Sequence, residues 1–137
     1  IAVDHGGFPL KQAVIEEIRA AGLEVLDLGT DSEESVDYPD FAKKLVDAMM
    51  AGQVSRGVLI CGTGIGISIA ANRHPGIRAA LVCDEQTAEL SRQHNDANVI
   101  CFGGRTTGEV KARRLVRIFL ETEFEGGRHA RRVGKLG

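Results

Sequence analysis

A cysteine followed by a glycine-rich turn is the part of this sequence best suited to chemistry. Cys61 ends the apolar run Gly57–Cys61 and opens the segment Cys61-Gly-Thr-Gly-Ile-Gly66. A strand that turns into a helix in this way presents free backbone N–H groups and the positive end of the helix dipole, which suit a phosphate or an oxyanion. Such donors also favour the thiolate form of a neighbouring cysteine. A base next to an oxyanion hole can remove a proton beside a carbonyl and stabilise the enediolate that results.

The same turn has a plainer interpretation, a glycine-rich nucleotide loop in which Cys61 is a small buried apolar residue. Spacing alone leaves the two interpretations about equally open. The glycines do not follow the dinucleotide spacing GxGxxG, because Ile67 stands where the third glycine belongs, and they do not follow GxxxxGK[ST]. The Cys83-Asp84 pair after the fourth predicted strand is not an obvious ribose-binding pattern either.

Basic and imidazole side chains elsewhere offer further candidates. Arg128 and Arg132 are four residues apart and would share one face of a helix, where paired guanidinium groups match phosphate oxygens. A solvated charge run is the alternative. His94, in a polar stretch after a helix, is a candidate general acid or a surface histidine. His5, next to Asp4, is a candidate ligand contact or a cap for the next helix.

The elements that position these residues follow from the apolar pattern. The predicted strands are Ile1–Val3, Glu24–Leu28, Gly57–Cys61, Ile77–Val82 and Asn98–Phe102. The predicted helices are Pro9–Ala21, Tyr38–Met50, a helix from Gly66 to about Arg73, Glu85–Arg92 and a helix from Thr107 to about Glu121, with one or two turns more in Glu125–Leu136. Repeated βαβ units predict an α/β fold, a single doubly wound, Rossmann-like domain of three layers over residues 1–137, with a mostly parallel five-stranded sheet.

Ligands of such folds bind at the carboxyl ends of the strands. The segments expected there are Asp4–Gly7, Cys61–Gly66, Cys83-Asp84 and Gly103–Arg105, and we expect His94–Asp96, just before the fifth strand, to join them. Cys83 and Cys101 lie in apolar strand contexts and are predicted to be core residues.

Composition excludes several classes of function. The 137 residues are 43% apolar and 26% charged, as in an ordinary globular domain. A net charge of −2, 4% aromatic residues and no Trp argue against nucleic-acid binding and against attraction to anionic membranes. Three cysteines without CxxC spacing predict neither a disulfide framework nor a zinc site and indicate a reducing compartment. With no bilayer-spanning stretch and no signal-peptide pattern, we expect a cytoplasmic location.

Five segments together carry a recognisable pattern. They are Asp4–Gly7, the acidic loop that leads into Asp37-Tyr38-Pro39, Cys61–Asn72, Ser91–Asn98 and Glu125–His129. They resemble the ribose-5-phosphate isomerase B family, which also contains galactose-6-phosphate and allose-6-phosphate isomerases, and the resemblance spans essentially the whole chain. It implies an intramolecular oxidoreductase that interconverts ribose 5-phosphate and ribulose 5-phosphate, with no cofactor and no metal.

The resemblance also implies roles for single residues. Cys61 is the base that moves the proton between C2 and C1, and Thr63 assists proton movement at the oxygens. His94, with Asp4, opens the furanose ring. The amides of Gly62, Gly64, Ile65 and Gly66 stabilise the enediolate. Asn95 binds the sugar, and His5, Arg128 and Arg132 lie near the phosphate. Arg105 reaches the site of a neighbouring subunit.

A phosphorylated sugar and a second copy of the chain are the expected partners. The resemblance implies a homodimer or a dimer of dimers, and the helix from Thr107 to about Glu121 carries more apolar residues than one buried face requires. Two other functions remain open. One is isomerisation of a six-carbon sugar phosphate, and the other is non-catalytic binding of a phosphate or nucleotide.

Overall fold

Four short strands alternate with helices in the computed structural model, which describes residues 1–137. The strands are β1 (Ala2–Val3), β2 (Gly57–Cys61), β3 (Ala79–Leu81) and β4 (Val99–Gly103). The helices are α1 (Phe8–Ala20), α2 (Tyr38–Met50), α3 (Ile65–Asn72), α4 (Glu85–Gln93), α5 (Glu109–Glu121) and α6 (Arg128–Val133). Each of these elements was expected from the sequence, with bounds that differ by a few residues at the ends.

The four strands form one parallel sheet in the order β1-β2-β4-β3. β2 pairs with β1 on one side and with β4 on the other, from Gly57 opposite Val99 to Cys61 opposite Gly103. Every residue of β2 and β4 is buried, as expected for central strands of a sheet that is covered on both faces. The carboxyl ends of β1, β2 and β4 therefore meet at one edge of the sheet.

Helices cover both faces of the sheet, which gives the three-layer, doubly wound architecture that the sequence predicts. Successive side chains of a strand point to opposite faces. Val58 and Ile60 accordingly join the apolar core beneath α1 and α5, whereas Leu59 and Cys61 join the core beneath α2 and α3. The side chain of Cys61 therefore lies on the α2–α3 face.

The sheet has four strands rather than the predicted five. The segment Glu24–Leu28 does run beside β1, since the amino group of Ile1 donates to the Leu26 carbonyl and the Leu28 N–H donates to the Ile1 carbonyl, each at 2.9 Å. A regular parallel ladder would next join the Val3 N–H to the Leu28 carbonyl, but that N–H donates to Gly29 instead. The Thr30 N–H then donates to the Val3 carbonyl at 2.6 Å, as the regular register requires, so the segment stays beside β1 with its ladder interrupted at the Val3 N–H.

Two expectations about apolar residues need correction. Cys83 is exposed, because β3 ends at Leu81 and Cys83 lies in the turn before α4. Of the two cysteines predicted to be core residues, Cys101 is buried. The apolar residues of α5 are also not a spare surface. Leu115, Val116 and Phe119 are fully buried in the chain's own core, and Val110 alone is strongly exposed, at 72%. No helix of the chain has the length and apolar character needed to cross a membrane.

Candidate active site

Three loops converge at the carboxyl edge of the sheet, after β1, β2 and β4. The Asp4 N–H donates to the Ile60 carbonyl at 3.1 Å, which holds the first loop against β2. The Gly104 N–H donates to the Cys61 carbonyl at 2.7 Å, and the Arg105 N–H donates to the Gly62 carbonyl at 3.1 Å. These bonds continue the pattern of the sheet beyond the strand ends, so the backbones of the three loops have fixed relative positions.

The loops approach so closely that side chains are excluded between them. A Cβ atom on Gly6 would lie 2.8 Å from the Cα of Gly62, and a Cβ atom on Gly103 would lie 2.8 Å from the Gly62 carbonyl oxygen. Carbon and oxygen atoms that are not bonded do not approach to this distance in folded proteins. The glycines in these loops are therefore required by close contact between backbones.

Cys61 lies at the centre of this arrangement, with its sulfur bound by the turn that follows it. The Gly64 N–H donates to the Cys61 Sγ at 3.2 Å. Gly64 has a φ of 81°, in the left-handed region that glycine adopts without strain, and it is the residue before the first turn of α3. A hydrogen bond from an amide to sulfur favours the thiolate over the thiol. The structure thus places a backbone donor directly against the Cys61 sulfur.

Access to the sulfur is narrow in the single chain. Cys61 is only 4% exposed, and it lines none of the three principal cavities, whose volumes are about 550, 510 and 940 Å³. The first of these lies near the start of β2, bounded by Ile1, Arg56 and Leu120, at the opposite end of the sheet. Thr63 and Ile65 next to the cysteine are exposed, so the turn itself is accessible to a ligand.

Some backbone N–H groups of the Cys61 turn already have hydrogen-bond partners within the chain. Besides the Gly64 N–H, the N–H of Ile65 has a partner, because it donates to the Thr63 Oγ1 at 3.2 Å. Gly66, in the first turn of α3, is in the position where a helix leaves its N–H groups without intrahelical partners. Among the predicted oxyanion donors, Gly66 is therefore better placed than Gly64 or Ile65, whose hydrogens point elsewhere.

Asp4 and His5 lie beside this turn and hold two different loops. The buried Asp4 accepts hydrogen bonds at Oδ1 from the N–H groups of Gly6 (2.8 Å) and Gly7 (3.2 Å), so it, and not His5, binds the amides that lead into α1. His5 instead accepts a hydrogen bond at Nδ1 from the Val36 N–H at 3.1 Å. A neutral His5 then carries its hydrogen on Nε2, which makes Nε2 the donor available to a ligand.

Two further side chains approach the turn. A Cβ atom on Gly62 would lie 3.0 Å from the Arg105 Nη1, so this guanidinium group lies beside the Cys61 turn of its own chain. A Cβ atom on Gly66 would lie 2.6 Å from the Cζ of Tyr38, so the tyrosine ring covers that glycine. Tyr38 was not among the predicted site residues. It is the single tyrosine of the chain and follows directly on the acidic loop, a signal that pointed to it without showing the contact.

The remaining predicted residues lie at the opposite edge of the sheet. His94 follows α4 and precedes β4, and a residue that precedes a parallel strand is at its amino end; the expectation that His94–Asp96 gathers with the carboxyl ends is therefore wrong. The five residues of β2 separate the two edges by about 16 Å at roughly 3.3 Å per residue. Asn95 is exposed beside His94, and α6 carries Arg128 and Arg132, both exposed, at the same edge.

His94 forms a compact cluster with two residues near the carboxyl end of the chain. Its ring stacks on that of His129, with ring centroids 4.2 Å apart and planes at 11°. Glu125 Oε1 is 3.6 Å from the His94 Nε2 and 3.9 Å from the His129 Nε2. Burial lowers the pKa of His129, the nearby His94 and Arg128 lower it further, and Glu125 opposes this.

The cluster has the residue types of a zinc site but a different geometry. The three potential ligand atoms lie within 4.8 Å of one another. An imidazole nitrogen binds a metal through a lone pair in the plane of its ring, and two nearly parallel planes stacked face to face do not share a point at a bond length of about 2.0 Å. The adjacent Arg128 and Arg132 also disfavour a cation.

Comparison with known proteins agrees with the fold, which is that of a small Rossmann-like α/β protein. The model of the Ribose/Galactose Isomerase family matches residues 1–136, and the chain belongs to that family. It is 48% identical to "Ribose-5-phosphate isomerase B" of Escherichia coli (strain K12) over 95% of this chain and 87% of that protein. It is 49% identical to "Probable ribose-5-phosphate isomerase B" of Mycoplasma pneumoniae over 99% of this chain and 90% of that protein.

Solved structures show the same fold at similar identity. The ribose-5-phosphate isomerase B of Clostridium thermocellum superposes with a TM-score of 0.95 at 51% identity, covering 98% of this chain and 91% of that chain. The ribose 5-phosphate isomerase of Thermotoga maritima gives a TM-score of 0.95 at 50% identity, covering 98% of this chain and 93% of that chain.

Proposed function

We propose that this chain is an aldose–ketose isomerase that interconverts ribose 5-phosphate and ribulose 5-phosphate through an enediolate. The observation that carries the proposal is the hydrogen bond from the Gly64 N–H to the Cys61 Sγ at the start of α3. The names of the relatives in Escherichia coli and Mycoplasma pneumoniae support ribose 5-phosphate as the substrate. The family description includes galactose, which keeps a six-carbon sugar phosphate as the second candidate.

In the proposed reaction the Cys61 thiolate takes the proton from C2 of the open-chain aldose and returns it to C1. The electron pair of the C2–H bond forms the enediolate, and the carbonyl oxygen at C1 gains negative charge. The Gly66 N–H and the positive end of α3 stabilise that oxygen, and the exposed Thr63 hydroxyl moves the proton between the two oxygens. We assign the Gly64 N–H to the thiolate instead, because its hydrogen already points at the sulfur.

The small exposed fraction of Cys61 is compatible with this role. A proton taken from carbon must return to carbon, and a base that bulk water reaches would exchange that proton with solvent. The exposed Thr63 and Ile65 leave the turn open to the sugar from the side of α3. Asp4 and His5 border the same turn, and Arg105 adds positive charge beside Gly62.

The proposed ring opening and phosphate binding require a second copy of the chain. His94, Asn95, Arg128 and Arg132 lie too far from Cys61 of their own chain to act on one sugar. An exposed apolar surface adjoins the Cys61 turn and supports a dimer there: Ile65 and Ile69 of α3 are each 52% exposed, and Leu81 on the edge strand is 45% exposed. We propose a homodimer in which this surface meets the partner and each site receives the His94 cluster of the other chain.

The proposed homodimer changes the expectation for Arg105. The family resemblance implies that it reaches a neighbouring subunit's site, whereas its guanidinium group lies beside its own Gly62. We therefore assign it to the site of its own chain and assign Arg128 and Arg132 to that of the partner.

The three cysteines are free thiols, which supports a reducing compartment, and we propose the cytoplasm as the location.

A substrate panel tests the proposed function. Isomerisation of ribose 5-phosphate, allose 6-phosphate and galactose 6-phosphate is measured with the wild-type chain, with Cys61→Ala and with the exposed control Cys83→Ala. We expect turnover of ribose 5-phosphate by the wild type and the control, and a loss of about 10²–10⁴-fold in Cys61→Ala. Full turnover by Cys61→Ala would exclude the thiol base. Calorimetry with nucleotides completes the panel, since nucleotide binding without turnover of any sugar would favour the non-catalytic function.

A further inference from the structure

His129 has a position that none of the roles above explains. The residue is only 6% exposed, and its Nε2 is buried without a hydrogen-bond partner. Leaving a buried polar nitrogen unpaired costs about 1–3 kcal/mol, and a phenylalanine of similar shape would avoid that cost. The ring nevertheless lies flat against His94, with 4.2 Å between ring centroids. This contact connects the unexplained group to the residue that the proposed function uses for ring opening.

One carboxylate oxygen lies between the two imidazoles. Glu125 Oε1 is 3.6 Å from the His94 Nε2 and 3.9 Å from the His129 Nε2. The Glu125 N–H donates to the carbonyl of Gln93 at 3.1 Å, which fixes this part of the chain to the end of α4. The carboxylate is therefore held where it attracts a proton on either ring, and at 49% exposure it also remains in contact with solvent.

The charges around the pair favour a single proton. His129 faces His94, Arg128, Glu125 and Arg132; burial is the main cause that lowers its pKa, and the three cationic neighbours act in the same direction against Glu125. Two imidazolium rings stacked at 4.2 Å would also repel each other strongly in this partly desolvated position. Burial and these charges therefore favour the neutral form of His129.

We propose that His129 is a positioning residue, which fixes the ring plane of His94 by stacking so that His94 can act as the acid in ring opening. The inference rests on the proposed function. As the bond between C1 and the ring oxygen breaks, His94 gives its proton to that oxygen and the C1 hydroxyl gives its proton to Asp4 of the other chain. The His129 ring fixes the plane of His94 by stacking, and Glu125 Oε1 lies 3.6 Å from the His94 Nε2.

The test uses two substrates that differ only in their need for ring opening. Ribose 5-phosphate is mostly a furanose, whereas 4-deoxyribose 5-phosphate lacks the hydroxyl that closes the ring and is open-chain. In His129→Ala we expect kcat for ribose 5-phosphate to fall about 10-fold or more, with kcat for the 4-deoxy sugar changed less than about 2-fold. His129→Phe retains a flat ring against His94 and is expected to recover most of the lost rate. His74→Ala, outside the cluster, is the control.

Equal losses on both sugars in His129→Ala, or no loss on either, would overturn the positioning role alone. Failure of the wild type to turn over either sugar would instead overturn the proposed function. If His129→Ala does not fold by circular dichroism, His129→Leu, which fills the space but removes the flat ring, takes its place, and we expect the same selective loss on ribose 5-phosphate.

Discussion

The sulfur of Cys61 and the amide of Gly64 are joined by a 3.2 Å hydrogen bond across a three-residue turn. Gly64, the donor, lies in the left-handed region with a φ of 81°, which glycine adopts readily. The same turn begins α3, so the positive end of a helix lies beside the thiol. Local chain geometry thus places the sulfur and its hydrogen-bond donor within four consecutive residues.

Thiol labelling should distinguish the three cysteines. Cys83 is exposed and is expected to react first with iodoacetamide, without loss of activity. Cys61 should react more slowly, with loss of activity and with protection by substrate. Full burial raises the pKa of Cys101 far above its usual value, and this residue should not react in the folded chain. Mass spectrometry of time points gives the order, and activity that follows the labelling of Cys83 would contradict this assignment.

Gly64→Ala should destabilise the chain and reduce activity together. The new Cβ atom would lie 2.7 Å from the carbonyl carbon of Phe102, and the residue would keep a φ of 81° that alanine adopts poorly. We expect a loss of about 2–4 kcal/mol in the free energy of unfolding by denaturant titration. The matched control is Gly108→Ala, where nothing lies within 4 Å of the new atom and the expected change is below about 0.5 kcal/mol. Equal effects of the two substitutions would refute the packing argument.

Removing one backbone donor tests the role of His5. Val36→Pro deletes the N–H that donates to the His5 Nδ1, whereas Val36→Ala keeps it. We expect Val36→Pro to raise KM for ribose 5-phosphate about 3–10-fold, because His5 then loses its fixed Nε2–H orientation, with kcat little changed. ¹⁵N NMR of His5 should show the Nε2–H form in Val36→Ala and a mixture of forms in Val36→Pro. Equal KM values for the two variants would remove this contact from substrate binding.

The two arginines of α6 should affect substrate binding more than turnover. Arg128→Ala with Arg132→Ala is expected to raise KM about 10-fold or more with a small change in kcat, because a phosphate far from the reacting carbons is bound alike in the ground and transition states. Arg131→Ala on the same helix is the matched control. If the double variant keeps the wild-type KM, or if Arg131→Ala raises KM as much, α6 does not contact the phosphate.

The buried ammonium of Lys11 should influence stability at low pH. It forms ion pairs with Asp27 at 3.0 Å and Asp31 at 2.9 Å and donates to the carbonyl of Thr30. Burial opposes the charge of Asp27, but the hydrogen bonds from Gly29 and Lys11 outweigh it and lower the pKa of this carboxyl. A lowered pKa gives stability that is present above about pH 4 and is lost as the pH falls through the folded value.

The matched variant is Lys11→Met, which keeps the length of the side chain and removes its charge. We expect it to cost about 1–3 kcal/mol at pH 7, since Asp27 then loses its buried partner. We also expect its melting temperature to depend less on pH between about pH 5 and 2 than that of the wild type. Parallel melting curves for the two chains over this range would contradict the linkage. Lys43→Met, at an exposed ion pair with Asp47, is the control and should change little.

Local signals predicted most of the framework correctly. The apolar run Gly57–Cys61 identified a buried central strand, and the glycine turn after it identified the start of α3. Cys83 was misjudged because the apolar pattern around it continues past the end of β3, where the chain has already left the sheet. The interruption of the ladder at the Val3 N–H depends on the pairing of two chain segments, which no single segment encodes.

The position of His94 shows the limit of reasoning from nearness in sequence. Residues next to a strand lie at one edge or the other according to whether they precede or follow it, and His94 precedes β4. Its partner His129 is 35 residues further along the chain, and their stacking follows only from the packing of the segment after α5 on the end of α4. The contact between Tyr38 and Gly66 likewise arises from two helices, α2 and α3, that meet in space.

The interlocked glycine loops have a consequence for how substrate choice can change in this fold. Gly6 and Gly103 approach the main chain of the Cys61 turn so closely that an added Cβ atom on either would lie 2.8 Å from a backbone atom of Gly62. We therefore expect a pocket for a longer or shorter sugar to arise by exchange of side chains next to these loops, such as Thr63, Ile65 and Tyr38. New specificities should therefore arise from side chains around these loops, while the backbone next to Cys61 stays the same.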